Sequence, residues 1–170
     1  MGRIRRQYYY QAVYHVYNRG NNGLKVLMAD EDKRNFLKAI ARYKEKFNFK
    51  IYALVLMDNH YHMVLETNPI HDISQIMQAV QLAFGSQYRK RYKFIGQLWQ
   101  SRFQSKVITG DAYILECLGY IHNNPVKAGL TNSASQYPWS SAKVYEQNWV
   151  GKLEDMLQID RYGDTSAVTL

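Results

Sequence analysis

Residues 51–66 read IYALVLMDNHYHMVLE and decide the fold. The run Ile51–Met57 is almost entirely apolar, as is typical of a central strand that is buried on both faces. Asp58 and Asn59 predict a two-residue turn, and His60–Glu66 is then the returning strand. The stretch therefore predicts an antiparallel strand pair at the centre of a sheet.

Further strands and helices lie on both sides of this hairpin. Asp30 and Asp111 are placed to cap two helices, and Pro125 ends the second because it disfavours helical geometry in the residue before it. The elements lack the steady alternation of a doubly wound fold, so we predict an α+β fold with helices packed on an antiparallel sheet. The other predicted elements are strands at Ala12–Arg19 and Phe103–Ile108, and helices over Asp30–Phe47, from Ile73 onward, and from Asp111 to near Asn123.

The length and composition favour one domain of ordinary size. A chain of 170 residues with 46% hydrophobic residues can bury a substantial core. We predict a single domain over residues 1–170, with a core at about 12–145, a basic N-terminal arm and a C-terminal tail. No apolar run is long enough to span a bilayer, and no signal-peptide core follows the basic start. The single cysteine, Cys117, excludes an internal disulfide and is consistent with a cytoplasmic location.

The charge favours a polyanionic partner. The formal charge is +8, from 22 Lys and Arg against 14 Asp and Glu, and the 15 tyrosines include candidates for stacking on exposed bases. A solubilising tail or a solvated helix end would have the same composition, so composition alone does not select DNA. The candidate DNA-binding cations are Arg3, Arg5 and Arg6 in the arm, Arg89, Lys90 and Arg91 in a basic and aromatic stretch, and Arg102 and Lys106 on one face of a predicted strand.

Two histidines on the returning strand are a candidate metal site. His60 and His62 are two residues apart, so their side chains leave the same face, with backbones roughly 6.5–7 Å apart. Two imidazoles can converge on one ion from there and leave coordination positions open for a substrate. The same pair also suits half-exposed structural histidines, and zinc hydrolases use similar pairs.

A tyrosine on the last predicted helix is a candidate nucleophile. At 100° per residue, Tyr120 lies roughly 110° from the centre of the helix's apolar stripe, where it can point into a cleft. Asn124 follows one turn later. Amphipathic packing is the alternative interpretation of Tyr120, and spacing alone does not decide between the two. The apolar stripe consists of Ile114, Cys117, Leu118 and Ile121.

The sequence around this tyrosine, together with that around the two histidines, resembles a known family. Residues 120–130, YIHNNPVKAGL, and residues 57–62, MDNHYH, resemble the single-tyrosine HUH transposases of the IS200-like kind. The branch called REP-associated tyrosine transposases is the most similar. Three more segments resemble other conserved blocks of that family, in the same order: residues 14–20, 96–103 and 137–141.

The resemblance implies a fold and a chemistry. The implied fold is a ferredoxin-like antiparallel sheet with helices packed on it. The implied site holds Mg²⁺ or Mn²⁺ between His60, His62 and Asn124, with Tyr120 as the nucleophile. Imidazole ligands suit Mn²⁺ better than Mg²⁺, so both ions stay candidates.

The resemblance also implies the partners and the reaction. Single-stranded DNA and DNA hairpins are the expected partners. The tyrosine keeps a 5′ phosphate and frees a 3′-hydroxyl, and the basic arm helps to read a single-stranded tag. Some relatives form homodimers that exchange the tyrosine helix, so a homodimer and the use of Tyr120 in cis or in trans stay open.

Three questions stay open at this point. The proton acceptor for Tyr120 is Glu116, His122 or water. One rival function is a catalytically silent DNA-hairpin-binding protein that retains the transposase fold. A second is a zinc hydrolase of small esters, which would not need Tyr120.

Overall fold

A computed structural model describes residues 8–145, 157 and 159–162 of the chain. Its centre is a four-stranded antiparallel sheet in the order β2-β3-β1-β4. The strands are β1 (Val13–Arg19), β2 (Lys50–Leu56), β3 (His60–Glu66) and β4 (Gln104–Ile108). The helices are α1 (Asp30–Phe47), α2 (Ile73–Tyr92), α3 (Asp111–His122) and α4 (Asn124–Lys127), with 3-10 turns at Asn21–Gly23, Ala134–Gln136 and Ser141–Tyr145.

The connections make the sheet ferredoxin-like. The chain runs β1-α1-β2-β3-α2-β4, and each β-α-β unit straddles one antiparallel strand. The predicted α+β class and sheet type are therefore confirmed. The division into arm, core and tail stays a prediction, because residues 1–7 and most of the C-terminal tail lie outside the described residues.

The predicted boundaries hold to within one residue, but the predicted caps are wrong. Helix α1 and strand β3 have the predicted bounds, whereas β1 begins at Val13, β2 spans Lys50–Leu56 and β4 begins at Gln104. Ladder hydrogen bonds set these ends, and apolarity does not reveal them. Asp30 and Asp111 were predicted as caps, but each is the first residue of its helix. The cap positions are occupied by Ala29 and Gly110, and neither cap has a side-chain hydrogen bond.

One face of the sheet is closed by α1 and α2. Tyr61 of β3 meets Phe36 of α1 with ring centroids 4.9 Å apart, and Phe36 meets Phe84 of α2 at 5.0 Å. Trp99 packs on all three rings. All four side chains are almost fully buried, so this face is the dry core that holds the sheet in register.

The outer edge of β2 is covered rather than open. The backbone of Leu56 donates to the carbonyl of Trp139, Val55 forms an isolated bridge with Ser140, and Ser141 Oγ bonds the backbone of Leu54. Covering an edge strand removes a template for intermolecular pairing. Helix α3 packs against β2 and β3, on the face opposite to α1 and α2. No helix within the described residues combines the length and apolarity needed to cross a bilayer.

Candidate active site

The two strand histidines leave the sheet face that α1 and α2 do not cover. The ring centroids of His60 and His62 are 5.3 Å apart. His60 Nδ1 lies 2.7 Å from Asn59 Oδ1, and His62 Nδ1 shares a 2.9 Å hydrogen bond with His15 Nε2. Because both Nδ1 atoms are occupied, the Nε2 atoms are the ones left for an ion, and the rings are held in place by these partners.

Burial keeps these imidazoles neutral. Burial, and then the neighbouring imidazoles of His15 and His60, lower the pKa of His62 to about 3. Burial, and then Lys106, lower the pKa of His15 to about 4. The pKa of His60 is also lowered, chiefly by burial and then by Arg19, against a smaller opposing effect of Asn124. A neutral imidazole has the free lone pair that a metal requires, so the pair is ready to bind one at neutral pH.

Helix α3 brings Tyr120 to the same place. The Tyr120 ring lies edge-on to His62 and His15, with centroids 5.7 Å and 6.1 Å away. The side chain remains 44% exposed, so a substrate can reach it. The Lys127 ammonium lies 4.9 Å from the ring centroid, a cation–π distance. One chain therefore places a phenol beside its own imidazoles.

Asn124 is oriented by the proline that follows it. Pro125 has no N–H to give the Ile121 carbonyl, and the Asn124 amide nitrogen lies 3.4 Å from that oxygen. The same nitrogen donates to the Tyr120 carbonyl at 2.9 Å. The amide oxygen is left over, and the Asn124 side chain is within hydrogen-bonding reach of His60.

The side chains of His60, His62 and Asn124 could together hold a divalent cation that also contacts a substrate. No group of three His, Cys, Asp or Glu residues suited to a metal exists in the described part of the chain. Two imidazole nitrogens and one amide oxygen form a neutral, incomplete ligand set, which leaves positions for substrate oxygens. Such a set is compatible with Mn²⁺ and, less favourably, Mg²⁺.

Two cavities flank the histidines. A cavity of about 740 Å³ lies beside His60, and its wall includes Arg19 and Gln104. A second, of about 390 Å³, lies under α3 and is lined by His15, Lys106, Tyr113, Glu116, Cys117 and Tyr120. Tyr17 and His62 line both cavities, and their rings are stacked with centroids 5.5 Å apart.

The structure separates the predicted cations into different regions. Lys106 lines the cavity that holds Tyr120. Arg102 does not lie on a strand face as predicted, because β4 begins only at Gln104 and Arg102 is in the bend before it.

The remaining predicted cations lie at the end of α2 or outside the described residues. Arg89, Lys90 and Arg91 are at the end of α2, on the opposite side of the sheet from the histidines. Arg91 bonds Glu31 at 2.8 Å and lies 3.9 Å from Asp32. Arg3, Arg5 and Arg6 lie outside the described residues. A DNA-binding role for both groups stays a prediction.

The structure also sorts the predicted proton acceptors. His122 bonds Ser141 Oγ at 2.9 Å, and burial lowers its pKa to about 4. Glu116 lines the same cavity as Tyr120. Of the two side chains, Glu116 is therefore the one placed beside the phenol.

Sequence reasoning missed His15, Tyr17 and Lys127. His15 looks like an ordinary strand residue until β1 is aligned beside β3, where Tyr17 falls opposite His62. Lys127 reaches the Tyr120 ring because α4 begins at Asn124, directly after α3 ends at His122. The alternation of polar and apolar residues in β1 was the available signal for the first two, since it puts both on the histidine face.

Comparison with known proteins gives the family. The family model described as "Transposase IS200 like" matches residues 8–124. A Haemophilus influenzae protein named "Putative REP-associated tyrosine transposase" is 27% identical in an alignment of length 134, which covers 68% of this chain and 75% of that protein. A solved structure of a REP-associated tyrosine transposase bound to a REP hairpin superposes with a TM-score of 0.68 at 22% identity, covering 95% of this chain and 98% of that one, which shows a shared fold. This chain belongs to the IS200-like transposase family.

Proposed function

We propose that this chain is a cytoplasmic, metal-dependent endonuclease and strand transferase for single-stranded DNA at hairpin-associated sites. The observation that carries the proposal is the meeting of Tyr120 with His62 and His15 across a cavity that also contains Lys106. These groups come from α3, β3, β1 and β4, and the proposal assigns Tyr120 as the nucleophile, His62 as a metal ligand and Lys106 as a phosphate-binding cation.

The ligands proposed for Mg²⁺ or Mn²⁺ are His60, His62 and Asn124. When bound, the ion neutralises phosphate charge and polarises the phosphorus centre. Lys106 attracts a phosphate oxygen into the cavity by its charge. Asn59 and His15 hold the two imidazole rings through their Nδ1 atoms.

Tyr120 performs the cut. Its oxygen forms a bond to phosphorus while the bond from phosphorus to the 3′-oxygen breaks. The phenolic proton passes to Glu116, and the departing 3′-oxygen takes a proton from water. The products are a 5′-phosphotyrosine and a free 3′-hydroxyl. Attack by a 3′-hydroxyl on the phosphotyrosine reverses these steps and joins DNA without an energy cofactor. Because Tyr120 lies beside the histidines of its own chain, we propose that it acts in cis.

The hairpin specificity is proposed from the relatives. The Haemophilus influenzae protein is named for the REP-associated branch, and the structural neighbour is bound to a REP hairpin. The basic arm and the net charge of +8 support an extended contact with DNA beyond the cavities.

A covalent-adduct assay tests the proposal. A labelled single strand that carries a hairpin is incubated with protein in Mn²⁺, Mg²⁺ or EDTA, and protein-linked label is measured on a denaturing gel. The parent forms an adduct with either ion, and Tyr120→Phe forms none. Tyr43→Phe, on α1, is the matched control and retains the adduct.

Each alternative gives a distinct result. No adduct from the parent with either ion supports the silent DNA-binding protein instead. Loss of the adduct in Tyr113→Phe, but not in Tyr120→Phe, moves the nucleophile to the neighbouring tyrosine of the same cavity. Zinc-dependent ester hydrolysis that survives Tyr120→Phe supports the hydrolase.

A further inference from the structure

We propose that the larger cavity beside His60 binds the nucleotide that leaves with the free 3′-hydroxyl and selects its base. This inference rests on the proposed function and adds a specificity site to it. The proposed base-reading side chains are Arg19, Gln100 and Gln104, which line this cavity and not the one that holds Tyr120.

The position of Tyr120 sets the direction of the strand. His62 and Tyr17 form the wall shared by the two cavities, and Tyr120 lines only the smaller one. In-line displacement places the entering and leaving oxygens on opposite sides of phosphorus. If Tyr120 enters from the smaller cavity, the 3′-oxygen departs toward the larger one. The nucleotide on the 5′ side of the cut therefore lies there.

The larger cavity has the chemistry to read a base. Its volume of about 740 Å³ is within the usual range of ligand sites, roughly 300–1,000 Å³. Gln100 and Gln104 are exposed, and each carries an amide that donates and accepts, as a base edge requires. Arg19 makes no ion pair with a described carboxylate, so its guanidinium is available to a base or a phosphate.

The wall of this cavity is held rigidly. The Gln100 backbone donates to the Arg19 carbonyl at 2.9 Å, and the Asn18 side chain donates to the Ser101 carbonyl at 3.1 Å. Gly20 lets the chain turn tightly here, because a Cβ would lie 2.0 Å from the Leu24 carbonyl oxygen. A cavity whose backbone is already held before binding loses less free energy when a ligand enters it.

Cutting and joining use the same cavity. In the joining step the entering 3′-hydroxyl retraces the path of the leaving 3′-oxygen, so the acceptor's terminal nucleotide occupies the same position. One set of side chains then imposes one base preference on both reactions.

The test varies one nucleotide. The cut is mapped with the parent protein on hairpin-bearing DNA, and the nucleotide on its 5′ side is then replaced by each base and by an abasic residue. Adduct formation is timed for the parent, Gln104→Ala, Gln100→Ala and Arg19→Met. The controls are Gln87→Ala and Arg34→Met, which remove an exposed amide and an exposed cation from the helix-covered side. The joining rate is timed with the same replacements at the acceptor's 3′ end.

The parent is expected to prefer one base over the abasic residue by about tenfold or more in both reactions. The ratio of the rate on the preferred base to the rate on the abasic residue should fall in Gln104→Ala, Gln100→Ala or Arg19→Met, because the preferred substrate reacts more slowly. The same ratio should not change in the two controls. Equal parental rates on all five substrates would overturn the inference while leaving the proposed function intact. A preference confined to cutting, or unchanged ratios in all three variants, would also overturn it. Failure of the parent to form any adduct would overturn the proposed function and this inference together.

Discussion

The two faces of the sheet have opposite compositions although they share the same strands. On β1, Tyr14 and Val16 point into the core under α1 and α2, whereas His15 and Tyr17 point into the cavities. The first face is apolar and closed. The second is apolar where α3 covers β2, and polar and aromatic around the histidines. Strand parity thus separates the residues that hold the fold from those that hold the site. Substitutions on the two faces should therefore affect different measurements.

The largest expected effect is on stability, from the closed face. Phe36 is fully buried among Tyr61, Phe84 and Trp99. Phe36→Ala leaves a cavity there, and the free energy of unfolding should fall by about 3–5 kcal/mol. Urea denaturation measures the change. The adduct rate per folded molecule should not change, and a further loss of rate would mean that the two faces are coupled.

The next effect is on activity, from the open face. His62→Ala removes a proposed ligand and should slow adduct formation by more than about 100-fold, with a matching loss of Mn²⁺ affinity in calorimetry. His71→Ala is the matched control, because His71 stacks on Phe47 at 4.5 Å in the helix layer. An equal loss of activity in both variants would argue against a metal role for His62.

A smaller loss of Mn²⁺ affinity is expected from His15, which contacts a proposed ligand and is not itself one. His15→Phe keeps a ring but loses the hydrogen bond to His62 Nδ1, and should reduce Mn²⁺ affinity by about 10- to 100-fold. His15→Gln retains a polar group and should recover part of the loss. Unchanged affinity in His15→Phe, at unchanged stability, would show that the hydrogen bond does not position the ligand.

The same contrast explains what the sequence could and could not predict. His60 and His62 were found because a spacing of two fixes a shared face within one strand, and Asn124 was placed near Tyr120 by one helical turn. His15 is 47 residues from His62, and only the register of β1 on β3 brings them together. Local periodicity carries no information on that register. Arg91 shows the same limit, since its ion-pair partner Glu31 comes from another helix, while its DNA-binding role stays a prediction.

The smallest expected effect concerns Gly119, just before Tyr120 in α3. A Cβ there would meet nothing within 4 Å, so the glycine is not needed for close packing. Gly119→Ala should raise the free energy of unfolding by about 0.5–1 kcal/mol, because alanine loses less conformational freedom in a helix. Gly129→Ala is the control, and it should instead lower the free energy of unfolding, since Gly129 has equal space but a φ of +70°.

The adduct rate of Gly119→Ala should stay within about twofold of the parent, since Tyr120 already lies beside its own histidines. A more stable protein that cuts more slowly would instead show that α3 bends at this residue during the reaction, and that the open face of the sheet depends on motion that the closed face does not need.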